Sequence, residues 1–229
     1  MPPTSHPSAL RPWLWWTAGF LAFPVAGLAG TGVAGRVDSP LAALLGGAVA
    51  GLVIGAVQVA ASRRRLDPRR WVPATTIGMG LGLLLGAVAV GYRTSLADLA
   101  LMGALTGLVL GVAQTLALPP RTHSRWLWAV ALPGLWALGW TVTTLGGITV
   151  DEQYTVFGAY GAVTFSALSG LLLHRLLPHR AEPYPHHPTL WARSWPGHVG
   201  RGARVRSRRL ARHVPAGGHA AARGQVDAR

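Results

Sequence analysis

Apolar and polar positions along this chain are gathered into blocks rather than alternated. Six long apolar stretches, residues 13–35, 41–61, 71–92, 99–118, 126–150 and 154–177, are separated by short polar connections. At 1.5 Å per residue, about 20 residues of helix cross a hydrocarbon core of about 30 Å, and every stretch reaches that length. None contains Asp, Glu or Lys, and the only basic groups, His174 and Arg175, lie at the end of the sixth. Backbone amides in lipid must be satisfied within their own segment, and the period-2 alternation of a barrel strand is missing. The pattern predicts an all-α integral membrane protein with six transmembrane helices.

The apolar text repeats itself. "GAVAGLVIGAVQ" at 47–58 returns as "GALTGLVLGVAQ" at 103–114 and more faintly as "GAVTFSALSG" from Gly161. Each phrase follows a span that opens with tryptophan just after an arginine, at Trp13, Trp71 and Trp126. The predicted unit is a helical hairpin, and three tandem copies cover 13–62, 71–118 and 126–177. A short N-terminus, 1–12, precedes this membrane domain of 13–177, and a basic tail, 178–229, follows it. The run from Trp13 also has the length of a signal peptide, but it belongs to the repeat, which favours a retained first span. Two helices per unit make successive copies enter the membrane in the same direction, unlike the inverted repeats of many transporters.

Glycines recur at i, i+4, i+8: Gly47, Gly51 and Gly55; Gly78, Gly82 and Gly86; Gly103, Gly107 and Gly111. This spacing makes a flat stripe on which a neighbouring backbone can pack closely. In the third copy Ala162, Ser166 and Gly170 keep the stripe small. Gln58 and Gln114 close the first two phrases and are read as interhelical hydrogen-bonding clamps; the third copy has Leu172 or Leu173 there. The tryptophans are read as interface anchors. In its "GLVIGAVQ" and "GLVLGVAQ" phrases, each followed by a basic loop and by "RRWVPATTIGMGLG" or "SRWLWAVALPGLWALG", the chain resembles a group of uncharacterised bacterial multi-pass membrane proteins. The resemblance spans residues 41–177, with Val59 and Thr115 where that group has tryptophan after the glutamine. It implies a membrane protein and carries no activity.

Charge then orients the spans. "SRRRLDPRR", "PPRTHSR" and the tail are basic, whereas "GRVDSP", "YRTSLAD" and "VDEQY" carry at most one arginine each and hold the acids Asp38, Asp98, Asp151 and Glu152. The positive-inside bias predicts a cytoplasmic (inner) membrane protein with both termini in the cytoplasm. Asp38 with Ser39, and Ser95 with Asp98, stand where they can cap the incoming helices.

Composition narrows the chemistry. Half of the 229 residues are hydrophobic, the formal charge is +14, and there is no cysteine, so neither disulfide nor thiolate chemistry arises. All 21 basic residues are arginine, read as a coding habit rather than as 21 ligand contacts. The spans offer no carboxylate, no His cluster and no Ser with a His partner, so no catalytic residue, metal site or cofactor is predicted. His174 is read as interfacial. The best candidate for a polar path lies in the third hairpin: Thr141 and Thr144 on one helix face, Ser166 and Ser169 on a second, Tyr160 and Thr164 on a third. Hydroxyls bonded back to their own helix are the plainer reading.

The tail opposes ten arginines to Glu182 and Asp227 and lacks the aliphatics to build a core. Its polybasic run "RGARVRSRRLAR", with Trp191 and Trp195 nearby, suits anionic lipid; no fold or base-reading motif points to specific nucleic acid. The expected partners are the bilayer, anionic lipid through the tail, and a membrane-protein partner. Two functions stay open: a non-enzymatic structural or interaction component of the membrane, and a small permease, channel-like facilitator or substrate-binding subunit of a transporter.

Overall fold

A computed structural model describes residues 10–63, 65–122, 124–148 and 154–177. Asp151, Glu152 and the whole 178–229 tail, with the readings placed on them, lie outside the described residues. The described residues form helices and no strand: α1 (Leu10–Ala18), a 3₁₀ turn (Gly19–Leu21), α2 (Ala22–Ala34), α3 (Pro40–Ala61), α4 (Pro68–Ala89), α5 (Leu96–Ala117), α6 (Trp126–Leu145) and α7 (Ala159–Leu176). Five helices are long and apolar enough to cross a membrane, counting Leu10–Ala34 as one, which marks a membrane protein. The last helix, α7, is 18 residues long and carries His174 and Arg175 in its last turn.

Local chemistry fixes where these helices start, bend and stop. Ser39 caps α3 by accepting from the Ala42 amide, Asp67 caps α4 through the Arg69 amide, and Ser95 caps α5 through the Asp98 amide. Pro40 and Pro68 occupy first-turn positions, where a missing N–H costs nothing. Asp98 also accepts from Ser95 and pairs with Arg93 at 3.0 Å; the carboxylate raises the guanidinium's pKa above its ordinary value. The first span is not one continuous α-helix. Pro24 has no N–H to offer the carbonyl of residue 20, and the chain tightens into the 3₁₀ turn at Gly19–Leu21.

The third hairpin departs most from the apolar stretches. The helix expected over 126–150 ends at Leu145, because Gly146 and then Gly147, at φ +82°, turn the chain off axis. The helix expected from 154 begins at Ala159. Thr155, Val156 and Phe157 are instead buried as a non-helical insert.

With Leu10–Ala34 taken as one span, each span packs on its sequence neighbours, and α7 packs on α1, closing a ring. The glycine stripes lie at these contacts, each turned toward the next helix in the chain. On α3, a Cβ at Gly47 would lie 2.8 Å from the Met79 carbonyl oxygen, at Gly51 2.6 Å from that of Thr75, and at Gly55 3.0 Å from Thr75 Cβ. On α4, Gly78, Gly82 and Gly86 meet Leu110, Thr106 and Met102 of α5 at 3.0, 2.8 and 2.6 Å. On α5, Gly103, Gly107 and Gly111 meet Trp140, Leu132 and Ala129 of α6 at 2.6, 2.5 and 3.1 Å. On α7, Gly170 faces Trp16 of α1, 2.6 Å from its Cδ1.

The stripe predicts a sharp contrast between glycines. Gly107→Ala drives a methyl against the Leu132 carbonyl and is expected to destabilise by about 1–3 kcal/mol. Gly134, with nothing within 4 Å of its Cβ direction, is expected to accept alanine without loss. Denaturation of the two purified variants in mixed micelles of rising SDS content checks this; equal midpoints would remove the close-approach argument.

Candidate functional site

Three buried polar side chains, Gln58, Thr75 and Gln114, come together between α3, α4, α5 and α6. Trp71, at the start of α4, donates from Nε1 to Gln58 Oε1 at 2.9 Å, and Trp128, at the start of α6, donates to Gln114 Oε1 at 3.0 Å. Gln114 Nε2 in turn donates to Thr75 Oγ1 at 3.0 Å and to Gln58 Oε1 at 3.3 Å. Thr75 returns its hydroxyl proton to the Trp71 carbonyl at 2.8 Å. Five side chains from four helices thus form one continuous network, and all five are buried.

A third indole repeats the arrangement where the ring closes. Trp16 of α1 donates from Nε1 to Ser169 Oγ of α7 at 3.1 Å, and Trp13 donates to the Ala167 carbonyl at 2.9 Å. The three buried indoles also touch: Trp128 lies 6.1 Å from Trp71 and 6.5 Å from Trp16, centroid to centroid. They fill the middle of the ring at the end that carries the 62–67 and 118–125 connections.

This revises the reading of the tryptophans as interface anchors. Trp71 is 0% exposed and its indole is a buried donor, while Trp126 is 52% exposed at the helix start. In "WLWW" and "WLW" only one indole per cluster, Trp16 or Trp128, is buried with a side-chain acceptor. The sequence does hold a signal for the pairing, since Gln58 to Trp71 and Gln114 to Trp128 span 13 and 14 residues across a basic connection. Ser169 gives no such cue, because it stands one residue before Gly170 whereas the glutamines stand three after Gly55 and Gly111.

The hydroxyls of the polar-path reading do not converge. Thr141, Thr144 and Thr164 bond the carbonyls of Ala137, Trp140 and Tyr160, one turn back on their own helices. Ser169 serves Trp16 and the Ser166 carbonyl. Ser166 is 3% exposed, and Tyr160 is exposed on the surface.

The other half of the third hairpin has a socket that sequence reasoning missed. Phe157 stacks on Phe23 at 5.1 Å and meets Trp136, Trp140 and Phe165 at 5.0, 6.0 and 5.8 Å. Glycines make the room: a Cβ would strike Val156 from Gly27, Thr155 from Gly30 and Gly46, and Phe157 from Gly139. Two buried polar atoms in this region, Thr155 Oγ1 and Trp136 Nε1, have no hydrogen-bond partner among the described residues. No group of three or more His, Cys, Asp or Glu able to hold a metal occurs among the described residues. No protein-family model, curated protein or solved structure matches the chain.

The network predicts coupled energetics. Gln114→Leu strands the Trp128 indole, a penalty of about 1–3 kcal/mol. Gln58→Leu and Gln114→Leu together are expected to cost less than their sum, by a coupling of about 0.6–1.7 kcal/mol. A double-mutant cycle by SDS denaturation measures it, and strict additivity would mean that the two amides do not share a network.

Proposed function

We propose that the protein is a non-enzymatic, six-span component of the cytoplasmic membrane, built from three hairpin repeats with both termini in the cytoplasm, and that it acts as a structural or interaction partner for other membrane proteins. The carrying observation is how the ring's interior is used. Trp16, Trp71 and Trp128 fill its middle, and each hands its indole proton to a side chain of the ring neighbour: Ser169, Gln58 or Gln114. Polar groups so placed hold helices together, and donor and acceptor are then both engaged.

The cyclic order of these pairs supports the repeat. The first helix of each hairpin donates to the second helix of the preceding one, and the last hairpin accepts from the first. In this reading α7 supplies the sixth crossing, with the exposed Arg175 reaching back to the headgroups. The exposed faces, with Leu28, Leu52, Leu81, Leu101 and Val130 among them, are left for lipid or a partner helix.

A second reading, a small permease or facilitator, is favoured by the Thr155 hydroxyl and Trp136 indole beside the 155–157 insert, which have no partner among the described residues. In it the insert occupies the path and must move for a solute to pass.

Single thiols in this cysteine-free chain test both readings. With a membrane-impermeant maleimide on intact cells, Tyr154→Cys is expected to react, Arg69→Cys to react only after lysis, and Thr144→Cys and Ser166→Cys to stay silent. Reaction of both Thr144→Cys and Ser166→Cys sinks the structural reading. Silence that ends at Ser166→Cys when Phe157→Ala is added supports the path. Reaction of Arg69→Cys in intact cells overturns the orientation.

A further inference from the structure

A groove of about 490 Å³ opens where the last turns of α3 and α5 meet the start of α4. Val59, Leu66, Ala117, Pro119 and Pro120 give it apolar walls, and Arg65, Arg70 and Asp67 supply the charges, two cations against one anion. We infer that this groove binds an anionic phospholipid of the leaflet at the arginine-rich end, the phosphate on the two guanidiniums and the glycerol and upper acyl carbons on the proline and valine walls. The inference rests on the membrane placement proposed above, which sets these helix ends at headgroup depth.

One observation favours a lipid over a soluble anion, and the others favour a phosphate on these guanidiniums. The groove lies at the ends of three helices apolar enough to span a membrane, so an occupant must satisfy charge and hydrocarbon together. Arg65 is already oriented, because its Nη2 donates to the Leu177 carbonyl at 3.1 Å, and a held guanidinium loses less freedom when it takes up a phosphate. Asp67 is occupied as the cap of α4 through the Arg69 amide and meets Arg70 only at 3.8 Å, so it competes weakly for that guanidinium. Two guanidiniums offer the forked donor geometry that suits phosphate oxygens better than an ammonium does. The surrounding connection adds Arg63 and Arg69, both exposed, which raise the local concentration of anionic headgroups without lining the groove.

The test uses the full chain in phosphatidylcholine vesicles with one bimane-labelled thiol at Pro120→Cys. Matched brominated phosphatidylglycerol or brominated phosphatidylcholine is titrated in, so that depth cancels in the ratio of the two. Half-quenching is expected at about fivefold lower mole fraction of the glycerol lipid, roughly the weight of one arginine near a charged surface. Arg70→Gln, at an exposed position, is expected to bring that ratio close to one. A reporter at Leu171→Cys on α7 is expected to show no preference. Equal preference at both reporters would assign the effect to general basic charge, the tail included, and overturn the groove site. Preference that survives Arg65→Gln combined with Arg70→Gln would overturn it as well. Equal quenching by both lipids at Pro120→Cys defeats the groove alone, whereas quenching by neither defeats the membrane placement too.

Discussion

Two helices already in lipid gain little from hydrophobicity by leaving it for each other, so the distance to which their backbones approach decides whether a bundle holds together. In this protein that distance is set by glycine. Along α3, α4 and α5 the missing Cβ atoms let the carbonyls of the next helix come within 2.5–3.0 Å of where a methyl would stand at Gly51, Gly82, Gly86 and Gly107. The approach is directional, since each stripe serves the helix that follows. It is also what makes the polar network reachable: Gln58 and Gln114 span from α3 to α5 only because α4 lies in close contact with both.

Close approach alone would leave the helices free to slide, because a glycine stripe is nearly uniform along its length. The indole–amide pairs remove that freedom. A buried N–H without an acceptor in this setting costs about 1–3 kcal/mol, so registers that separate Trp71 from Gln58 or Trp128 from Gln114 are disfavoured. Thr75 contributes twice, accepting from Gln114 and standing against Gly55, which makes it the point where steric fit and hydrogen bonding coincide.

Much of this architecture was legible in the sequence. The helices follow from apolar length, Ser39 and Ser95 stand at the start of α3 and α5 with Asp98 in the first turn, and the glycine spacing points at faces that the structure sets against neighbouring backbones. What escaped was partner choice. A tryptophan after an arginine has the composition of an interface anchor whether its ring turns outward, as Trp126 does, or inward, as Trp71 does; only an acceptor on another helix distinguishes them. The continuous apolar content from 154 onward predicts helix. Yet Thr155, Val156 and Phe157 are β-branched or aromatic, with weak helix preference, and their side chains find a glycine-lined socket that no local pattern announces.

That socket makes the ring unequal around its circumference. At the α3–α4 and α5–α6 contacts, three glycines and a donor–acceptor pair act together over 20 or more residues. At the α6–α7 contact the helix is shorter, the close approach falls at Gly139 and Gly161, and a non-helical insert fills the space that a further helical turn would occupy. The insert is held by ring stacking and shape, with the Thr155 hydroxyl buried and unpartnered among the described residues. Buried polar atoms lacking partners lower the cost of leaving a packed site relative to those that are satisfied. Local opening should therefore begin at the 155–157 insert, while the tryptophan–glutamine network holds α3 to α6 together. A structural role requires only the rigid part. Any transport role must use the yielding one, and its path would then run past Phe157 and Trp136 rather than through the glutamines.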